Sequence, residues 1–173
     1  MKKAVMYGAG NIGRGFIGQL FSQSGYEVAF IDINPVIIER LNKDKSYPIR
    51  IAARDKYEEI IVTNVRGVNG LNIQEVAREI ATADIMATAI GVNALPKIAG
   101  PMALGIRKRW ENENFKPLNI IICENLIDAN KYMEKLIKAE LNENEVKLFD
   151  KYVGLIEASI GRMVPIMTEE MQE

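Results

Sequence analysis

Residues 1–32 constrain this chain more than any other stretch. A short apolar run, Lys3-Ala4-Val5-Met6-Tyr7, leads directly into Gly8-Ala9-Gly10-Asn11-Ile12-Gly13. A helix-period segment follows through Phe16-Ile17-Gly18-Gln19-Leu20-Phe21 and stops near Gly25. Glu27-Val28-Ala29-Phe30-Ile31 then reads as a second strand, ending on Asp32. Strand, glycine turn, helix, strand and acid, in that order, form the dinucleotide-binding fingerprint. Glycine turns alone are common. The flanking elements, and an acid about twenty residues further on, make this one specific.

Each part has a separate task. Gly8 allows the tight turn out of the first strand, where a side chain would clash or need an unfavourable backbone angle. Gly10 lets the backbone approach a pyrophosphate closely, and Gly13 lets the helix pack on the strand. The N–H groups that open the helix, together with its dipole, stabilise an anion there. Asp32 ends the second strand, where a carboxylate can accept from the ribose hydroxyls. That carboxylate also repels a 2′-phosphate, and Ile33-Asn34-Pro35 supply no cation to neutralise one. The pattern predicts NAD rather than NADP.

The chain has 173 residues, 48% of them apolar, enough for one domain with a sizeable core. Net charge is −1 with Lys and Arg scattered, which argues against a nucleic-acid surface. The densest basic run, Arg107-Lys108-Arg109, reads as a solvated helix end. A single cysteine, Cys123, allows no internal disulfide and fits a reducing compartment. No stretch has the length of a membrane span or the form of a signal segment. A soluble cytoplasmic protein without a membrane partner is expected. With no histidine and one cysteine, no metal site of the usual kind is expected, and histidine-dependent nucleophiles are excluded. Acid–base chemistry would need Lys, Asp, Glu or Tyr, or groups outside this chain.

Further along, Asn34 and Pro35 open a helix to Asn42. Tyr47 to Ile51 and Glu58 to Thr63 flank Arg54-Asp55-Lys56 as a hairpin-like excursion. Asn64 to Asn72, rich in Gly and Asn, reads as loop. Helices are expected over 73–82, 95–110 and 129–141, the second weakened or kinked at Gly100-Pro101, with a helical turn over 146–152. Buried strands are expected over 84–90, 118–123 and 153–160. This alternation predicts an α/β, Rossmann-type, doubly wound and mostly parallel sheet with helices on both faces. Ligands on such sheets bind outside the carboxyl ends of the strands. The residues to watch are therefore those just after each apolar run: Gly8 to Gly13, Asp32, Ala89 to Asn93, Glu124 and Asn125, and Ser159 to Arg162. The candidate cofactor residues are Gly8, Ala9, Gly10, Asn11, Ile12, Gly13, Arg14, Asp32, Ile33, Ala89, Gly91 and Asn93. Arg14 reads either as an anion partner or as a surface cation, and Gly91-Val92-Asn93 as a cofactor border or a plain loop. Lys97 and Lys131, the lysines that could be proposed as bases, are assigned no such role.

Gly8 to Gly18, with Arg14 inside the glycine motif, resembles the opening of the mannitol-1-phosphate 5-dehydrogenases, in the polyol-specific long-chain dehydrogenase family. The similarity continues through Asp32-Ile33-Asn34, Asn42 to Tyr47, Gly67-Val68-Asn69, Thr88-Ala89-Ile90-Gly91 and Pro117 to Asn125. It ends with Val153-Gly154 and Arg162-Met163-Val164-Pro165. The resemblance implies NAD on an N-terminal Rossmann-type domain, and hydride transfer between mannitol 1-phosphate and fructose 6-phosphate. It implies a small-molecule substrate, a sugar phosphate or polyol. It matches Asn125 to the family asparagine that hydrogen-bonds the reacting oxygen; on the residues alone, Asn125 reads rather as a cap of the following helix or turn. The family's general base is a lysine in a second, mostly helical domain, followed by an asparagine and a histidine. This chain has no histidine, so residues 1–173 are expected to be the cofactor domain alone, without that C-terminal domain. Gly161 stands where relatives carry an acid before the arginine, which leaves a sister polyol or sugar-acid dehydrogenase open. A stand-alone NAD(H)-sensing module is the remaining alternative.

Overall fold

The computed structural model describes residues 1–53 and 56–165. Six strands, β1 (Lys2–Tyr7), β2 (Tyr26–Asp32), β5 (Val65–Asn69), β6 (Ile85–Thr88), β7 (Leu118–Ile122) and β8 (Val153–Glu157), form one sheet in the order β5-β2-β1-β6-β7-β8. Every pairing in it is parallel. The strand order reverses between β1 and β6, the point at which sheets of this kind bind ligands outside the carboxyl ends of their strands.

Alternate residues of each strand enter different cores, as a period of two requires. Val5, Tyr7, Ala29, Ile31, Met86, Ile120 and Ile122 face one side. They pack there on α3 (Ile73–Ala81), α4 (Leu95–Glu111), α5 (Ala129–Lys138) and Phe149 of α6 (Glu143–Tyr152). Ala4, Met6, Val28, Phe30 and Ala87 face the other side. That side is covered by α1, which runs over residues 11–23, and by α2 (Pro35–Asp44). Burying Phe30 completely is worth about 1.5–3 kcal/mol, so the sandwiched strands anchor the fold. The expected doubly wound sheet with helices on both faces is the observed one.

Local chemistry sets the helix starts. Asn34 accepts from the N–H groups of Val36 (3.0 Å) and Ile37 (3.4 Å), with Pro35 at the first helical position. Asn72 accepts from Glu75 N–H at the start of α3. Asn142 and Glu145 form a reciprocal capping box at α6, which turns the expected helical turn into a ten-residue helix.

The hairpin excursion is present as antiparallel β3 (Ser46–Ala53) and β4 (Lys56–Thr63). Arg54 and Asp55 of its expected turn lie outside the described residues, as do the chain's last residues, 166–173.

Two expectations need correction. Residues 65–69, read as loop, form edge strand β5, paired in register with β2 from Val28↔Val65 to Asp32↔Asn69. Gly67, which looked like a loop residue, is needed there: a Cβ would lie 2.8 Å from the backbone of Ile38 in α2. The helix expected over 95–110 is present as Leu95–Glu111, with Pro101 inside it. The basic run is not a solvated helix end. Arg109 is 2% exposed and donates to the carbonyls of Ile80, Ala81, Ala83 and Lys116. Arg107 pairs with Glu145. The C-terminal carbonyls of α3 attract the buried guanidinium, which caps them.

Candidate dinucleotide site at the carboxyl ends of the strands

The glycine turn leaves β1 where Gly8 adopts φ +105°, and a Cβ there would lie 2.3 Å from the Ala89 carbonyl oxygen. Gly8 therefore serves both the turn and the close approach of the segment after β6. A Cβ on Gly13 would meet the Gly8 carbonyl oxygen at 2.1 Å, so the helix is pressed onto the turn itself. The glycine that brings the helix onto a strand is Gly18, whose Cβ would meet Phe30 of β2 at 2.3 Å. Gly13 was expected in that task; the structure divides it between the two.

Gly10 differs from these. It is exposed, and a Cβ there would meet no atom within 4 Å. Among the described residues nothing accepts from the N–H groups of Gly10, Asn11 and Ile12, while Arg14 N–H already donates to the Gly10 carbonyl. The open space over Gly10 and these amides is where an anionic group fits.

Asp32, at the end of β2, faces the same turn. Its Oδ2 accepts from the Ala9 N–H at 2.7 Å, and its Oδ1 from Asn34 N–H at 2.9 Å. Both bonds fix the carboxylate beside the turn, and each oxygen keeps lone-pair capacity for another donor. Ile33, 67% exposed, offers an apolar surface next to it. Arg14 is half-buried, and its Nε donates to the Ala9 carbonyl at 2.6 Å.

The first helix contains a π-helical turn at Gly13–Ile17, in which Gly18 N–H reaches back to the Gly13 carbonyl. Side chains from elsewhere take carbonyls in this turn. Tyr47 of β3 donates its hydroxyl to the Arg14 carbonyl (2.7 Å). Arg162, beyond β8, donates to the carbonyl of Gly15 (3.2 Å) and to Gln19 Oε1 (2.7 Å), and lies 4.4 Å from the Phe16 ring centre. Burial pushes the Tyr47 phenol well above its ordinary range, with the Arg14 charge opposing.

Across the switch point, Glu124 follows β7 and is only 9% exposed. Its two carboxylate oxygens accept separately from Ile90 N–H (3.0 Å) and Gly91 N–H (2.9 Å). Gly91 has φ +86°. Asn93, in the short 3₁₀ turn Val92–Ala94, and Asn125 are both exposed. Asn125 does not cap α5, whose cap position is Asp128. A groove of about 500 Å³ beside them is lined by Val92, Leu126, Ile127, Lys131, Tyr132 and Lys135. A second cavity of about 520 Å³, lined by Lys2, Asp84 and Arg109 among others, opens at the amino ends of the strands, away from this site. Cys123 is buried, and desolvation followed by the Glu124 charge lifts its thiol pKa to about 11, so it is a core residue and not a nucleophile. Lys131 is paired with Asp128 at 2.8 Å.

Sequence reasoning singled out the glycine turn, Asp32, Ala89 to Asn93 and Asn125, and all of these lie at the carboxyl edge of one sheet. It placed Glu124 among the residues that follow an apolar strand but gave it no task, and it did not single out Tyr47 or Gln19. The position of Glu124 directly after an apolar strand was the available signal.

A six-stranded parallel sheet with this order and a glycine turn at its switch point defines a Rossmann dinucleotide-binding domain. The chain belongs to the mannitol dehydrogenase Rossmann-domain family, whose profile matches residues 2–173. It is 45% identical over 166 residues to a mannitol-1-phosphate 5-dehydrogenase of Lactococcus lactis subsp. lactis, covering 95% of this chain and 43% of that protein. It is 42% identical over 163 residues to the enzyme of that name from Brevibacillus brevis, covering 94% of this chain. The chain thus spans less than half the length of these curated relatives. A UDP-glucose dehydrogenase structure from Pyrobaculum islandicum shares the fold, with TM-score 0.60 and 13% identity over 91% of this chain and 35% of that one. No helix among the described residues is long and apolar enough to cross a membrane.

Proposed function

We propose that this chain is the NAD-binding domain of a polyol-phosphate dehydrogenase that interconverts mannitol 1-phosphate and fructose 6-phosphate. The observation that carries the reading is the open face of Gly10 beside unclaimed helix-start amides, with Asp32 fixed next to it. The pyrophosphate would lie over Gly10, Asn11 and Ile12, with Arg14 beside it, and Gly8, Ala9 and Gly13 shape the turn beneath. Asp32 would accept from the adenosine ribose, and Ile33 would pack near the base. A carboxylate held by two backbone N–H groups cannot swing away from a 2′-phosphate, which favours NAD over NADP. Ala89, Gly91 and Asn93 would border the nicotinamide half. When bound, the nicotinamide supplies a site that accepts or returns the hydride of a secondary alcohol carbon.

This chain's contribution is to bind and orient. Asn125, exposed after β7, would donate its amide N–H to the reacting oxygen and stabilise developing alkoxide charge there. The general base would come from a helical domain beyond residue 173, as the length of the relatives supports. A sister polyol or sugar-acid substrate is the second reading, and one observation favours it. Gly161 is exposed, and a Cβ there would meet nothing within 4 Å, so the missing acid is not excluded by space.

The test is loss of NADH absorbance with fructose 6-phosphate and a panel of other ketoses. The product of the full reading frame is expected to oxidise NADH with fructose 6-phosphate, and residues 1–173 alone to bind NADH without turnover. Turnover by residues 1–173, or oxidation with a different ketose only, would contradict the corresponding part of the proposal.

A further inference from the structure

We infer that Glu124 is a positioning residue for the cofactor site: it holds the segment after β6 against the glycine turn without touching the cofactor itself. The inference rests on the dinucleotide reading above. Its geometric basis is a chain of contacts. Glu124 accepts from two consecutive backbone N–H groups, Ile90 and Gly91, one on each carboxylate oxygen. Cys123 N–H also donates to the Thr88 carbonyl (2.9 Å), so the ends of β6 and β7 are tied at two levels. The segment so held is the one pressed on Gly8, where a Cβ would meet the Ala89 carbonyl oxygen at 2.3 Å and Ile90 Cγ2 at 2.9 Å. Ala89 N–H in turn donates to the Tyr7 carbonyl at 2.9 Å. A displacement of residues 89–91 would therefore move the wall of the phosphate turn.

The chemistry requires a carboxylate. Two adjacent amide N–H groups pointing one way need two acceptor oxygens, and an ionised carboxyl group supplies both as charge-assisted bonds. A glutamine has one acceptor oxygen, and its NH₂ would face the second amide donor to donor. Gly91, at φ +86°, is a backbone position without stiffness of its own, so the clamp replaces what the residue lacks.

The experiment is an NADH fluorescence titration of wild-type chain, Glu124→Gln and Glu124→Asp. It is accompanied by circular dichroism and by amide hydrogen exchange at Ile90 and Gly91. The expected result is a loss of NADH affinity of about tenfold or more for Glu124→Gln, with the spectrum of the wild type and faster exchange confined to residues 89–93. Glu124→Asp, which keeps both oxygens on a shorter stem, is expected to recover part of the affinity and part of the protection. Affinity within twofold of wild type in Glu124→Gln would overturn the inference while leaving the dinucleotide reading intact. Unfolding of both variants would also overturn it, since Glu124 would then be a structural residue only. Failure of the wild-type chain to bind NADH would defeat the dinucleotide reading, and this inference with it.

Discussion

The Asp32 carboxylate accepts the Ala9 N–H at 2.7 Å, which joins the end of β2 to the glycine turn that follows β1. The acid and the turn are therefore one rigid unit. The group read from sequence as a ribose acceptor also holds the backbone over which a pyrophosphate would lie. Removing it takes away two functions together.

Asp32→Ala is expected to leave the Ala9 amide unpaired, at a cost of about 1–3 kcal/mol, and to weaken NADH binding by roughly tenfold or more. NADPH should lose less, because the repulsion of its 2′-phosphate disappears with the carboxylate. Urea unfolding checks the stability cost, and parallel fluorescence titrations with NADH and NADPH check the two affinities; an unchanged ratio of the two affinities would contradict the assigned discrimination.

Gly8→Ala and Gly10→Ala should separate folding from binding. At Gly8 the new methyl would press on the Ala89 carbonyl at φ +105°, and a destabilisation of at least about 2 kcal/mol is expected in urea unfolding. At Gly10 the methyl meets no protein atom within 4 Å, so stability should hold while NADH binding falls, because the methyl occupies the space proposed for the pyrophosphate. Equal effects of the two substitutions on stability would contradict this division.

Arg109→Met keeps the aliphatic bulk but leaves the carbonyls of Ile80, Ala81, Ala83 and Lys116 without that donor. A loss of about 3 kcal/mol is expected in chemical denaturation, with the C-terminal turn of α3 exchanging its amides faster. A change near zero would show that water replaces the guanidinium freely.

Acid should weaken the protein through its carboxylates. Burial opposes ionisation of Glu79, but the hydrogen bonds from Arg66 and Lys3 outweigh it and hold its pKa below the usual 4.5. Arg107 does the same for Glu145. A carboxylate whose folded pKa is depressed contributes stability that is complete above its unfolded pKa and disappears as pH falls through the folded one. The melting temperature is expected to decline below about pH 5, and less steeply in Glu79→Gln. An identical pH profile in that variant would remove Glu79 from the account.

The strand–turn–helix–strand opening was legible because each residue type there has a local cause: apolar alternation, glycines at forced backbone angles, an acid after a strand. Asn34, as a cap before Pro35, was legible for the same reason. Strand β5 was not, because Val65-Arg66-Gly67-Val68-Asn69 lies between Asn-rich flanks and its glycine is required by Ile38, twenty-nine positions earlier in the chain. Arg109 misled in the same way: a cation at a helix end looks solvated until the end of α3 is brought against it. The Glu124 clamp and the hold of Tyr47 and Arg162 on the π-helical turn depend on contacts between residues about 33 to 147 positions apart, which no local pattern encodes.

The central claim, that nicotinamide dinucleotide lies over the glycine turn with its adenosine ribose on Asp32, is tested most directly by calorimetric titration of residues 1–173 with NADH and with NADPH. The account predicts one NADH bound per chain, clearly tighter than NADPH, with binding lost in Gly10→Ala. An absence of binding heat at millimolar NADH in correctly folded protein, or a preference for NADPH, would contradict it.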